Sequence, residues 1–208
     1  GQGRYIVSAF ESGVFGIEVP ESGTAEPGDI WSFYDTMPGQ AYATALTNGE
    51  LWIATGLGGI HRCNFDATDV ALPQSCEVYT LYPDWYAYDL AVHEDQNIYV
   101  FIALGPHGVG RLTAPPMGQG WAGTSFEVLS DSDLEFVETV SFDPVSGTLW
   151  AGDMTGLVLA IDGLGDFVQP LATVDGDGSV ASIAHVPDVG AVVGRFNGSA
   201  ERVTLTCE

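Results

Sequence analysis

Five stretches of the chain repeat one pattern: a short run of β-branched, aromatic and aliphatic residues, a turn containing glycine, and a second such run. They read YIVSAFESGVFGIEV from Tyr5, LWIATGLGGIHRC from Leu51, IYVFIALGPHGVGRL from Ile98, LWAGDMTGLVLAI from Leu149 and AVVGRFNGSAERVTL from Ala191. The start positions are spaced by 46, 47, 51 and 42 residues. Paired β-rich runs around a glycine turn predict hairpins, here near 5–19, 51–63, 98–112, 149–161 and 191–205. No segment of useful length sustains a 3.6-residue period, so helix is expected to be nearly absent. Strand-built repeats of 40–50 residues mark radial arrays of four-stranded sheets. The expectation is an all-β chain, a β-propeller of about five four-stranded units in one domain spanning 1–208.

The runs around each hairpin complete the units, with the hairpin as strands B and C between an inner strand A and an outer strand D. AYATALTNG and CEVYTLY flank the second hairpin, YDLAVHED and FEVLS the third, and VETVSFDPVSG and FVQPLATV the fourth. The A-to-B turns have turn chemistry, such as Asn48-Gly49 and Asp143-Pro144-Val145-Ser146-Gly147. The first unit reads as B, C and D (DIWSFYD), and the last as A (VASIAHV), B and C. Both ends supply strands B and C, so they cannot share one blade. Two expectations follow: five units with imperfect first and last blades, or part of a larger propeller. Open strand edges would need covering, by a partner chain or by self-assembly.

The segment NGELWIATGLGGIHRCNFD (residues 48–66) resembles the repeat of the two-component-regulator and streptogramin-lyase-like propellers. In that repeat Leu-Trp-Ile-Gly-Thr precedes a glycine-rich turn and an aromatic-Asp ending; Ala54 stands here in place of the usual glycine. SGTLWAGDMTGLVLAID (residues 146–162) is a second, weaker match. The resemblance covers the B–C hairpin in two of the five units. It implies a propeller, in families that include sensor domains and lyases, and no lyase signature carries over onto these residues.

Charge narrows the partners. The 208 residues hold 28 acids against five bases, all arginine, for a net charge of −23. Such a surface repels phosphate backbones and anionic lipid, which argues against nucleic acid and membrane insertion as partners. No apolar run approaches the roughly 18 residues of a membrane span. The start Gly1-Gln2-Gly3-Arg4 has no initiator Met or signal-like pattern, as expected of a processed chain or a segment of a longer one. Three cysteines are an odd count. Cys63 and Cys76 bracket a polar loop between two predicted strands, which suits a disulfide or a pair of reduced buried thiols. A disulfide there would stabilise the fold by about 3 kcal/mol in the chain-entropy model. The polar loop and acidic surface favour the disulfide and an oxidising compartment, hence a secreted, extracellular or periplasmic protein. Cys207 is left over, either free or paired with another chain.

The B–C and D–A loops of a propeller share the face where ligands generally bind. Each D–A segment reaches an aspartate within a few residues: Asp35, Asp84, Asp131 with Asp133, and Asp175 with Asp177. Converging carboxylates would repel one another or recruit a cation, and calcium, with its six to eight oxygen ligands, fits that set. The alternative is that aspartate serves these turns by bonding its own backbone. The run Asp175-Gly176-Asp177-Gly178-Ser179 has calcium-loop spacing but fails as an EF-hand, because Val180 and Val186 stand at essential positions. The loop Tyr82-Pro83-Asp84-Trp85-Tyr86-Ala87-Tyr88 is the most ligand-like segment, with four aromatics in seven residues. Aromatic faces beside a carboxylate suit a sugar ring or a protein hot spot; equally, Trp85 and Tyr88 could plug the space between blades. His107, in the B–C loop of the third unit, would join the ligand face. Surface positions are expected for His61, His93, His107 and His185, which share no metal-ligand spacing. The function expected is a non-catalytic module binding protein or carbohydrate, or assembling with copies of itself. The alternative is a glycosidase or lyase pairing Asp84 with Asp131 or Asp175, which needs carboxylates about 5–9 Å apart.

Overall fold

A computed structural model describes residues 3–9, 13–19, 30–34, 40–47, 49–57, 59–65, 76–116, 119–129, 134–165, 170–174, 176–187 and 189–204. Among them run eighteen antiparallel strands in five sheets, with no helix. Packing divides the chain into two units, Gly1–Ala87 and Tyr88–Glu208.

The first unit holds a three-stranded sheet, β1 (Gly3–Ala9), β2 (Gly13–Val19) and β3 (Ile30–Tyr34), in that order. Beside it lies a four-stranded sheet of β4 (Ala41–Thr47), β5 (Glu50–Thr55), β6 (Ile60–Asn64) and β7 (Cys76–Tyr79). In the second unit, β8 (Asp89–Glu94), β9 (Ile98–Ala103), β10 (Val109–Ala114) and β11 (Ser125–Val128) form one four-stranded sheet. A second contains β12 (Val137–Phe142), β13 (Thr148–Asp153), β14 (Val158–Asp162) and β15 (Pro170–Val174). The final sheet has three strands, β16 (Val180–Val186), β17 (Gly190–Arg195) and β18 (Ala200–Val203). Every sheet is a meander in chain order, as the repeated hairpins predict. The first and last are the short ones.

Strand B of the second and fourth sheets, β5 and β13, is buried at every position. Alternation between apolar and polar residues fades there because both faces of the sheet are covered. Leu51, Ile53 and Cys63 pack with Val14 and Ala41 in the first unit. Cys63 and Cys76 are direct partners across β6 and β7 and are joined by a disulfide. The expectation of surface histidines fails at His61, which is fully buried: it lies on an inner strand of the sheet, where neither face meets water.

Charged side chains inside the sheets arrive with partners, as burial requires. Arg62 reaches Glu50 through two nitrogens, at 3.1 and 2.6 Å, and its guanidinium lies 5.0 Å from the Trp52 ring centroid. Arg111 bonds Glu127 and donates to the carbonyls of Gly163 and Gly165, 52 and 54 residues on, joining the third and fourth sheets. Within the second unit β12 packs against both β8 and β16. One chain of hydrogen bonds crosses all three strands: the Ile183 N–H donates to the Thr139 hydroxyl, which donates to Asp89 Oδ2. The N–H groups of Val140 and Leu90 also donate to Asp89. Burial pushes the Asp89 carboxyl above the ordinary range, while these three donors pull the other way.

Candidate functional site

Four residues build an exposed aromatic turn in the first unit. The Trp85 N–H donates to the Tyr82 carbonyl at 3.1 Å, closing a turn with Pro83 and Asp84 at its centre. Pro83 presets the first central position, and Asp84 takes φ 68° at the second, which gives the turn type II character. Asp84 is the one non-glycine residue among those described with positive φ. Aspartate tolerates that region better than most side chains. The turn brings residues i and i+3 together, so the Tyr82 and Trp85 rings meet edge to face, 4.9 Å between centroids. Tyr82 is 62% exposed and Asp84 is exposed, while Trp85 and Tyr86 are half-buried.

The base of this platform comes from the neighbouring hairpin turn and the start of β4. A Cβ on Gly56 would lie 3.2 Å from the Tyr86 ring and 3.4 Å from Tyr42, so the glycine lets both rings approach the backbone. Leu57, next in that turn, is 63% exposed. The Ala87 N–H donates to the Thr55 carbonyl and the Gly56 N–H to the Gln40 carbonyl, tying the loop and the start of β4 to the hairpin end. The Tyr42 hydroxyl donates to Gln40 Oε1. Burial and the adjacent Tyr86 phenol push the Tyr42 hydroxyl above the usual tyrosine range; burial and Tyr82 do the same to Tyr79. Both stay neutral at physiological pH and remain able to donate and accept. A partly wet pair of rings set edge to face, with phenol hydroxyls nearby and one exposed carboxylate, can stack against a ring or seat a cation.

The other expected site residues are distributed differently. Tyr88 begins the second unit, where its backbone N–H bonds the Ala103 carbonyl and its ring meets Phe136 edge to face at 5.0 Å. Gly105, at φ 58°, accommodates both rings, since a Cβ there would come within 2.7 Å of Tyr88. His107 sits half-buried in the β9–β10 turn, its N–H bonded to the Leu104 carbonyl. Of the six aspartates proposed for calcium, Asp35, Asp131, Asp133 and Asp175 lie outside the described residues, as does Cys207. Asp84 belongs to the first unit and the exposed Asp177 to the second. Among the described residues no three His, Cys, Asp or Glu side chains gather into a metal-binding group.

The glycine-rich segment holding Asp177 has an internal role. Arg195 Nη1 donates to the Gly178 carbonyl at 2.8 Å and to the Gly156 carbonyl at 2.9 Å, and Arg195 pairs with Glu201. A Cβ on Gly176 would fall 2.0 Å from Arg195 Nη2. The Asn197 side chain donates to the Asp177 carbonyl at 3.0 Å. Two carbonyl oxygens of the calcium-like run thus face protein donors. Tyr42, Gly56 and Leu57 went unnoticed in the sequence as parts of a site, because only folding brings residues 42 and 56–57 beside residue 86. The repeat arithmetic was the available signal: the second D–A loop must lie beside the B–C turn of its own sheet.

Antiparallel meanders, four-stranded at full length, whose first strands β8, β12 and β16 pack side by side in the second unit, are those of the β-propeller class. The structure is similar to a nidogen/laminin complex, with a TM-score of 0.61 and 15% identity over 96% of this chain and 78% of that one. It is also similar to the computationally designed Ika4 protein, with a TM-score of 0.55 and 15% identity over 81% of this chain and 93% of the other. At that identity the likeness concerns the fold alone. No protein-family model and no curated protein matches the chain in sequence.

Proposed function

We propose that this chain is a non-catalytic binding propeller of a secreted or cell-surface protein, and that the Tyr82–Trp85 turn is its ligand platform. The observation that carries the reading is the exposed Tyr82 ring set edge to face on the half-buried Trp85, on a turn with a left-handed aspartate. A solvent-facing tyrosine contributes little to folding, whereas Tyr and Trp dominate binding hot spots. The Cys63–Cys76 disulfide supports an oxidising compartment. Protein and carbohydrate both suit aromatic surfaces with hydroxyls at the rim, and the likeness to a propeller solved in a protein complex supports a protein. Calcium remains a proposal for the aspartates of the D–A loops. The test compares the native protein with Tyr82→Ala on an oligosaccharide array and a panel of purified extracellular proteins. A ligand bound by the native protein and lost by the variant carries the reading. Ligands retained equally by both would place the site elsewhere.

A further inference from the structure

The platform stands on a chain in which three of the five arginines are buried in ion pairs. The sequence has no lysine and five arginines. Arg62 is fully buried against Glu50; Arg111 and Arg195 are each 6% exposed and paired with Glu127 and Glu201. Arg202 is exposed, its Nε bonded to the Val189 carbonyl. The 28 acids outnumber the five arginines to a net charge of −23, and three of those arginines are paired with carboxylates of the chain itself. A potential of that sign draws in cationic partners and repels anionic ones.

At the platform this field coincides with aromatic faces and the exposed Asp84 carboxylate. Tyrosine and tryptophan faces attract guanidinium and ammonium groups, and a neighbouring carboxylate adds a charge-assisted hydrogen bond. The core already uses such a pairing, with Arg62 stacked on Trp52 and bonded to Glu50. We infer that the Tyr82–Asp84–Trp85 platform captures an arginine- or lysine-bearing segment of a partner protein, its cationic side chain stacking on the exposed Tyr82 ring beside Trp85 while Asp84 pairs with the charge. This rests on the binding reading above and narrows its ligand from protein or sugar to a basic protein segment. The wider acidic surface steers the encounter, and the rings decide where the segment settles.

The probe is a tetra-arginine amide, with the tetra-citrulline amide as its neutral counterpart of matching shape. Titration of the full chain is followed by NMR of the indole N–H resonances, with Trp85 identified by its loss in Trp85→Phe. The expected result is a saturable shift of the Trp85 resonance with tetra-arginine and none with tetra-citrulline. Affinity should fall about tenfold in Tyr82→Ala, the order expected for one lost cation–π contact. It should also weaken steeply between about 0.05 and 0.5 M salt. Tyr82 is solvent-facing, so its removal leaves the fold intact, and Asp84→Asn, which keeps the side-chain shape, should weaken binding in the same direction. Equal affinity for native protein and Tyr82→Ala would overturn the inference, because general acidity alone would then hold the peptide. Equal binding of the citrulline peptide would overturn it as well. If cellohexaose shifts Trp85 and tetra-arginine does not, the platform is a binding site and only its cationic specificity is wrong. If neither shifts it, both readings fail.

Discussion

Two loop ends of the same repeat serve opposite purposes. After β7 the chain forms an aromatic turn in which Tyr82 is exposed and Trp85 half-buried beside it. After β15 it passes through Gly176, Asp177 and Gly178, which lie against the Arg195 guanidinium. The first keeps one bulky side chain, Tyr82, that its own hairpin leaves 62% exposed. The second is stripped to glycine so that an arginine from β17 can fasten it to the preceding sheet. Occupied space marks the structural loop, and uncovered aromatic area marks the candidate site. Tyr88 sharpens the contrast: six residues after Tyr82, it is wedged against Phe136 and Gly105.

The comparison breaks most readily at Arg195. Arg195→Met should lower unfolding free energy by about 3 kcal/mol, because it orphans two glycine carbonyls and leaves the half-exposed Glu201 without its partner. Urea unfolding monitored by circular dichroism would measure it, and a loss within noise would mean that the clasp is decorative. Gly176→Ala should cost about 2 kcal/mol by forcing a methyl onto the guanidinium. That cost should shrink in an Arg195→Ala background, which a double-mutant cycle would show.

Asp89 gives a prediction in pH. Burial raises its native value above that of the unfolded chain, so the native state takes up the proton more readily. Its contribution to stability should therefore rise as pH falls through the raised native value, and level off below the unfolded value of about 3.9. Asp89→Asn should remove that dependence, visible as the difference between the two proteins' unfolding free energies across the acid range. A difference that stays constant with pH would contradict the burial argument. The smallest effect belongs to Tyr82→Ala, which should change stability by no more than about 0.5 kcal/mol in the same urea assay.

Local pattern made the scaffold legible. LWIATGLGGIHRC reads as β5, a glycine turn and β6, and the 13-residue spacing of Cys63 and Cys76 became a bond between paired strand positions. What stayed hidden depends on long separations. Arg195 and Gly156 are 39 residues apart and Asp89 and Thr139 fifty, and no periodicity announces either contact. Four aromatics in seven residues flagged the loop at 82–88 without dividing it. The division came from the turn: Pro83 and the left-handed Asp84 leave Tyr82 exposed with Trp85 half-buried against it, while Tyr88 joins the next sheet's packing. His61 shows the same gap, since its burial follows from its strand's place in the sheet and not from its neighbours in sequence.

The aromatic turn after the second sheet either binds a partner or only packs. The direct measurement is the affinity of Tyr82→Ala for tetra-arginine amide, set against the native protein under conditions where both are fully folded. The account predicts a loss of about tenfold with an unchanged unfolding midpoint. Undiminished affinity, together with a clear drop in that midpoint, would assign Tyr82 to the fold and contradict it.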